Sequence, residues 1–249
     1  MKLKTVIIGA GYYGLKKAYE NIKQGENDLL VIEFDQIAGG EPWQPNRKSA
    51  EYPFEIWFKS TVIDMSQDNE GGYILKVQHK DGITEISTQF VIITTGAVEK
   101  PRSLNMIPGD RPGGEMTPKL ALSLLAKKYI PGYKPLVFIE NEASQEITNQ
   151  LTKIQECHVR TLPQNKVDIL SVHGSPRVNQ VLVKYKETNE TEAIECDAFI
   201  YSHGIVPNTK FIQELNLELT DESFILTNAE GATNLNGIYA FGDCSVRKK

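Results

Sequence analysis

From Lys4 to Ile22 the sequence reads KTVIIGAGYYGLKKAYENI, and this stretch constrains the fold more than any other. TVIIG is a short β-branched run that stops at glycine. The segment after it, YGLKKAYENIKQG, has helical spacing, with Leu15, Ala18, Tyr19 and Ile22 on one side and closure at Gly25. Between strand and helix stands Gly9-Ala10-Gly11-Tyr12-Tyr13-Gly14, a G-x-G-x-x-G turn. Gly9 permits the tight turn, Gly11 lets backbone approach a pyrophosphate, and Gly14 lets the helix sit close on the strand. Phosphates then lie on the helix N-terminus, where free N–H groups and the dipole favour negative charge. DLLVIEFD, Asp28 to Asp35, is the next strand, and Glu33 follows Gly14 by 19 residues, where a carboxylate accepts hydrogen bonds from a ribose diol. The bland alternative is a tight turn beside a surface glutamate; the joint context favours a dinucleotide site.

A strand, a crossover helix and a second strand make a right-handed βαβ unit. Beyond it, FEIWFKSTVIDMSQDNEGGYILKVQHKDGITEISTQFVIITTG gives several β-rich runs broken at DNEGG and KDG, an antiparallel meander leading into the strand FVIITTG. Helical spacing returns from Lys119 to Lys128 and from Ala143 to Ile154, separated by YIPGYKP and the strand LVFIE. After Glu156 the chain reads as strands: CHVRTL, KVDILSVHG, QVLVKYKE and DAFIYSHG. PLVFIENEASQEITNQLTK, Pro135 to Lys153, therefore repeats the outline of the first βα unit without its glycines.

The chain has 249 residues, enough for one large or two small domains, and a formal net charge of −5. That charge argues against nucleic acid or an anionic membrane as the main partner. No apolar run approaches the ~20 residues of a membrane span, and strand pattern begins by Thr5, so a cytoplasmic protein without a leader is expected. The three cysteines, Cys157, Cys196 and Cys244, are far apart, with no C-x-x-C and no zinc-like spacing. Neither a disulfide, a redox dithiol nor a metal site is indicated. His79, His158, His173 and His203 lie in strand or turn contexts and read as structural or solvated.

VIEFDQIAGG, FVIITTGAVEKPR, CDAFIYSHGIVPN and TNLNGIYAFGDC follow the first motif in an order that resembles the flavoproteins with two dinucleotide-binding domains, the pyridine nucleotide-disulfide oxidoreductase type. IPGDRPGGEMTPKLALSLL and YIPGYKPLVFIE look most like the branch holding opine and amine oxidase subunits, hydrogen cyanide synthase subunits and glycerol-3-phosphate-dehydrogenase-associated oxidoreductases, in shortened form. The matches run from Lys4 to Cys244. The resemblance implies an α/β architecture with a Rossmann-like FAD domain carrying a β-meander, residues 1–100 and 202–249, around a reduced, degenerate NAD(P)-binding-type domain, residues 101–201. It also implies FAD as cofactor. Gly9, Ala10, Gly11, Tyr12, Tyr13 and Gly14 would hold its pyrophosphate, and Glu33 with Phe34 its adenosine ribose. Gly39 and Gly40 would pass close to the cofactor, Val62 would meet adenine with its backbone, and Thr94, Thr95 and Gly96 would cross beside it. Gly242 and Asp243 would reach the ribityl and pyrophosphate region. Flavin would carry the hydride and electron chemistry, so no catalytic side chain is assigned. Trp43 reads as packing, with a flavin face as the alternative.

The departures from that family pattern are equally specific. Where a glycine-rich turn belongs after LVFI, the sequence has Glu140-Asn141-Glu142-Ala143-Ser144; carboxylates and Cβ atoms there speak against NAD(P)H in the usual pose. The next strand ends VRTL with no acid for a ribose diol, and Arg160 reads as a solvated charge. PQNKVDILSV leaves no room for a second crossover helix, EPWQPNRKSAEYP is short for a flavin-pocket helix, and no helix follows Gly242-Asp243 before Lys249. The leading expectation is an FAD-dependent oxidoreductase or flavin electron-transfer subunit without a redox disulfide, acting on a small molecule or a redox partner protein, as a homo- or hetero-oligomer. The competing one is a non-catalytic relative that keeps the fold as a binding or assembly module.

Overall fold

The computed structural model describes residues 1–40 and 51–248; EPWQPNRKSA, with Trp43, lies outside the described residues. The chain divides into two compact units, Met1–Val98 with Val206–Lys249, and Glu99–Ile205.

The first unit opens with β1 (Lys2–Ile8), α1 (Tyr12–Lys23) and β2 (Leu29–Ile32), followed by β3 (Glu55–Trp57), β4 (Thr61–Gln67), β5 (Tyr73–His79) and β6 (Gly82–Ile93). The sheet order is β3-β2-β1-β6-β5-β4. β1 is central, parallel to β2 and β6, and its Val6, Ile7 and Ile8 are buried. Alternation divides the apolar side chains cleanly. Val6, Ile8, Leu30, Ile32, Val91 and Ile93 face one core, and Ile7, Leu29, Val31 and Ile92 face another that includes Ala18 of α1. Each fully buried aliphatic side chain of this kind contributes about 1.5–3 kcal/mol, so the layer holds α1 down on the sheet. The hairpin turns fall where expected: the Asp68 carboxylate accepts from the Gly72 and Glu70 amides, and β5 joins β6 through Lys80 and Asp81.

One strand departs from the expected meander. β3 runs parallel to β2 at the sheet edge rather than antiparallel to β4. Ile56 packs on the α1 side and Trp57 on the other, so both are covered only if β3 extends the parallel layer.

The second unit has its own parallel sheet. β7 (Ala97–Glu99) spans the boundary between the units, and after it come β8 (Glu115–Met116), α2 (Pro118–Ala126), β9 (Pro135–Ile139), α3 (Glu142–Thr152) and β10 (Arg160–Pro163). β11 (Val167–Gly174), β12 (Val178–Tyr185) and β13 (Thr191–Glu195) form an antiparallel meander, and β14 (Ala198–Ile200) returns before β15 (Ile205–Pro207), which pairs with β7. The parallel order is β10-β9-β14-β8. α3 buries Ala143, Ile147 and Leu151, a four-residue repeat that lays one stripe on the sheet. On the other side, Val181, Val183 and Ile194 of the meander pack with Leu136, Phe138 and Phe199. β13 is absent from the sequence reading because TEAIE is polar: as an edge strand on β12 it buries only Ile194.

The chain then returns to the first unit with β16 (Ile225–Thr227), β17 (Ile238–Ala240) and β18 (Ser245–Arg247). On its edge away from β1, β6 is long enough to serve two partners. Its first half pairs antiparallel with β5, and Val91 to Ile93 pair parallel with β17. The residues after Gly242-Asp243 form β18, a strand on β16. Tyr73, fully buried, donates its hydroxyl to the Asn236 carbonyl at 2.6 Å and so fixes the entry to β17. Tyr73→Phe is expected to lower the stability by about 1 kcal/mol, the scale of one lost hydrogen bond with its acceptor left in place. An unchanged urea midpoint would show that this contact does not hold the returning strand.

Candidate functional site

Three residues, Gly9, Ala10 and Gly11, connect β1 to α1. Gly9 has φ +101°, and a Cβ there would lie 2.6 Å from the Thr94 carbonyl oxygen; at Gly14 a Cβ would meet the Gly9 oxygen at 1.8 Å. Both positions exclude every larger residue on steric grounds. Gly11 is different. Among the described residues a Cβ added to it would come no nearer than 3.9 Å, to the Gly40 Cα, so their packing does not require glycine here. What it leaves is a gap between two glycine backbones in front of the α1 N-terminus. Gly11 is also the N-cap residue, so no N-cap side chain bonds the helix, and its first turn holds no acid; among the described residues no side chain caps it. The orphan amides of that turn are thus open to an anion, and a pyrophosphate fits this cradle.

The structure brings most of the sequence-identified residues onto this turn. Glu33 is buried, its Oε2 accepting from the Ala10 amide at 2.6 Å and its Oε1 from the Asp35 amide at 2.9 Å. The carboxylate therefore ties the turn to the end of β2, a role the sequence does not reveal, and each oxygen keeps a lone pair for a further donor. Gly39 donates its amide to the Ala10 carbonyl at 2.8 Å. The Thr94 hydroxyl reaches the Ile8 and Gly9 carbonyls at 2.9 Å each. From the returning segment, Gly242 has φ +80° and lies against the Tyr13 ring, where a Cβ would sit 2.8 Å from Cδ2. Lys17 Nζ stands 4.2 Å from the centre of the Phe241 ring. Tyr12 and Tyr13 meet edge to face at 5.2 Å and are exposed, as are Phe34 and Asp243.

The remaining candidates flank the turn. Val62 is buried in the core, so only its backbone is left to face a ligand; its link to the site is Ser60, whose amide donates to the Glu33 carbonyl at 3.0 Å. Thr95 donates to the Asn208 carbonyl at 2.8 Å, and the Asn208 amide returns a bond to the Gly96 carbonyl at 3.0 Å. Asn208 and Ser60 were not singled out from sequence, because each acts through backbone atoms of a distant segment.

In the second unit the equivalent turn is built otherwise. Asn141 caps α3, its Oδ1 accepting from the Ser144 amide at 3.0 Å, and Ser144 Oγ accepts from the Glu140 and Asn141 amides at 3.0 Å each. This is a capping box, with serine in the reciprocal position. Glu140 Oε1 lies 2.6 Å from His203 Nδ1. Burial, and next the charge of Glu140, push the neighbouring Tyr201 hydroxyl above its usual range.

All three cysteines are free and buried. Burial raises each thiol, Cys157 and Cys244 by direction and Cys196 to about 12, so none is held as a thiolate at neutral pH. Three histidine side chains have local partners: His79 with Thr84 at 2.8 Å, His173 with Ser171 at 2.7 Å, and His203 with Glu140. Asp110 stands 3.8 Å from the other nitrogen of His173, too far for the orienting hydrogen bond that a nucleophilic triad uses.

The family model described as pyridine nucleotide-disulphide oxidoreductase matches residues 135–249. Ferredoxin–NADP reductase 1 of Bacillus pumilus (strain SAFR-032) is 33% identical over 291 aligned positions, spanning 98% of this chain and 82% of that protein. The chain belongs to the pyridine nucleotide-disulphide oxidoreductase family. Members of this family use FAD, with NAD(P)H as substrate. A thioredoxin reductase of Treponema pallidum (strain Nichols) is 37% identical over a shorter stretch, 32% of this chain and 24% of its own length. Among solved structures, T. acidophilum thioredoxin reductase superposes with TM-score 0.68 at 17% identity, over 98% of this chain and 91% of that one. L-proline dehydrogenase from P. horikoshii gives TM-score 0.74 at 19% identity, over 98% of this chain but 51% of its own. At these identities the two structures establish the shared fold.

The raised thiols make a direct prediction. At pH 8 iodoacetamide should leave the native protein unmodified, because the thiolate fraction falls as the pKa rises and each sulfur is buried, whereas denaturant should expose all three cysteines to alkylation. Rapid native alkylation at any one of them, read by mass spectrometry, would identify a reactive thiol.

Proposed function

We propose that the chain is an FAD-dependent oxidoreductase or flavin electron-transfer subunit that works without a redox-active disulfide. The observation that carries this reading is the uncapped α1 N-terminus fronted by the facing backbones of Gly11 and Gly40. Gly9, Ala10, Gly11, Tyr12, Tyr13 and Gly14 surround the pyrophosphate position. Glu33, fixed by the Ala10 and Asp35 amides, offers its remaining lone pairs to ribose hydroxyls. Phe34 and the Val62 backbone flank the adenosine end. Thr94, Thr95 and Gly96, held by their bonds to β1 and Asn208, carry the chain past the cofactor. Gly242 sets Asp243 toward the ribityl hydroxyls, where an ionised acceptor forms the stronger hydrogen bond.

FAD bound there supplies the hydride and electron chemistry, and the protein supplies placement and electrostatics. The buried, raised thiols of Cys157, Cys196 and Cys244 support a route that uses no dithiol. The electron source or acceptor is a small molecule or a redox partner protein. The resemblance of IPGDRPGGEMTPKLALSLL to the opine and amine oxidase branch supports a small-molecule substrate.

The purified protein, supplied with FAD, should be yellow, with a flavin band that bleaches on chemical reduction. Gly11→Val should abolish FAD uptake while the far-ultraviolet circular dichroism stays that of the parent, since the added side chain fills the anion gap and clashes with no neighbour near Cβ. Unchanged FAD affinity in Gly11→Val would sink the assignment. Glu33→Ala should weaken FAD by ~1–3 kcal/mol, the scale of a charge-assisted hydrogen bond lost with its partners left unmet. If Glu20→Ala weakened FAD equally, Glu33 would have no special part in the site.

A further inference from the structure

We infer that the second unit is closed to NAD(P)H in the pose its parallel sheet offers, and that Asn141, Ser144 and the seating of Arg160 are what close it. The inference goes beyond the FAD reading and stands on residues of the second unit alone. In open α/β sheets, ligands bind at the carboxyl ends of the strands, with a pyrophosphate at the first helix N-terminus. Here that end is occupied by the protein itself.

The turn is one residue shorter than in the first unit: β9 ends at Ile139 and α3 begins at Glu142, leaving residues 140 and 141, whereas β1 and α1 leave 9, 10 and 11. Neither of the two is glycine, so no gap like that between Gly11 and Gly40 opens for a phosphate. Three amides of this turn are already bonded, Ser144 to the Asn141 side chain, and Glu140 and Asn141 to Ser144 Oγ. A phosphate would have to displace these bonds rather than complete an unsatisfied turn. The Glu140 carboxylate, held by His203 at 2.6 Å, and Glu142 in the first helical turn add negative charge at the same end.

The second strand is equally unsuited. Its carboxyl end is Pro163 followed by Gln164, which supplies no carboxylate for a ribose diol. Arg160, the one cation of that strand, sits at its amino end, far along the strand from a ribose phosphate. Its guanidinium is forked onto Glu192, Nη1 to Oε1 at 2.8 Å and Nη2 to Oε2 at 2.6 Å, with Tyr185 as a further partner at 3.3 Å. Arg160 is therefore engaged away from the position of a 2′-phosphate.

The test is anaerobic calorimetric titration of NADPH, and separately NADH, into protein saturated with FAD, with the flavin band followed in parallel. No saturable heat to about millimolar nucleotide, and no bleaching, is expected. Micromolar binding of either nucleotide that persists in Gly11→Val, where the first unit's turn is blocked, would overturn the inference. The Gly11→Val arm reads the second unit even if FAD itself fails to bind, so failure of the flavin assignment is seen separately. In Glu140→Ala/Glu142→Ala the nucleotides should still not bind, because the amides stay capped. Micromolar binding in that variant would assign the exclusion to charge and overturn the part given to Asn141 and Ser144.

Discussion

The first turn of an α-helix leaves backbone N–H groups without intrahelical partners, and how those groups are satisfied decides what each half of this protein can hold. In α1 no side-chain cap satisfies them among the described residues: Gly11 has no side chain, no acid stands in the first turn, and the nearest described atom to a Cβ at Gly11 is the Gly40 Cα. In α3 the Ser144 amide is taken by the Asn141 side chain, and Ser144 Oγ takes the Glu140 and Asn141 amides just before the helix. The two βα units share outline and core logic, strand buried and helix laid on it by one apolar stripe. They differ at the few atoms where a phosphate would bind.

That difference requires support from far along the chain. The open turn survives because Thr94, 80 or more residues away, takes the carbonyls of Ile8 and Gly9, and because Glu33 and Gly39 take the amide and carbonyl of Ala10. Gly242 closes the arrangement against Tyr13. A site built from an unsatisfied helix end is costly to leave without partners, and these contacts satisfy the turn's other polar groups while leaving the helix end exposed. In the second unit no such scaffold is needed, since the capping box completes the turn and burial of Ala143, Ile147 and Leu151 is sufficient to retain the helix.

Much of this was legible in the residues. The G-x-G-x-x-G, the strand on either side of α1, the carboxylate at Glu33 and the late Gly242-Asp243 are local patterns, and local geometry follows from them. The missing glycines after β9 were visible in the same way, and Asn141 and Ser144 stand at cap spacing. The direction in which Glu33 turns was not legible, because it depends on β3 adding in parallel and on Ser60 bonding the Glu33 carbonyl. Nor was the fork of Arg160 onto Glu192, a contact across 32 residues between strands of two different sheets. Pairing partners of short polar strands such as β13 are set by the sheet that receives them, not by their own composition.

One of the two corresponding helix ends is open and the other is self-capped. The stoichiometry of ADP binding, the moiety common to FAD and NAD(P)H, tests it most directly. Equilibrium dialysis of the flavin-free protein with labelled ADP should saturate at one molecule per chain, and Gly11→Val should abolish that site. Two molecules per chain, or one that survives Gly11→Val, would contradict the account.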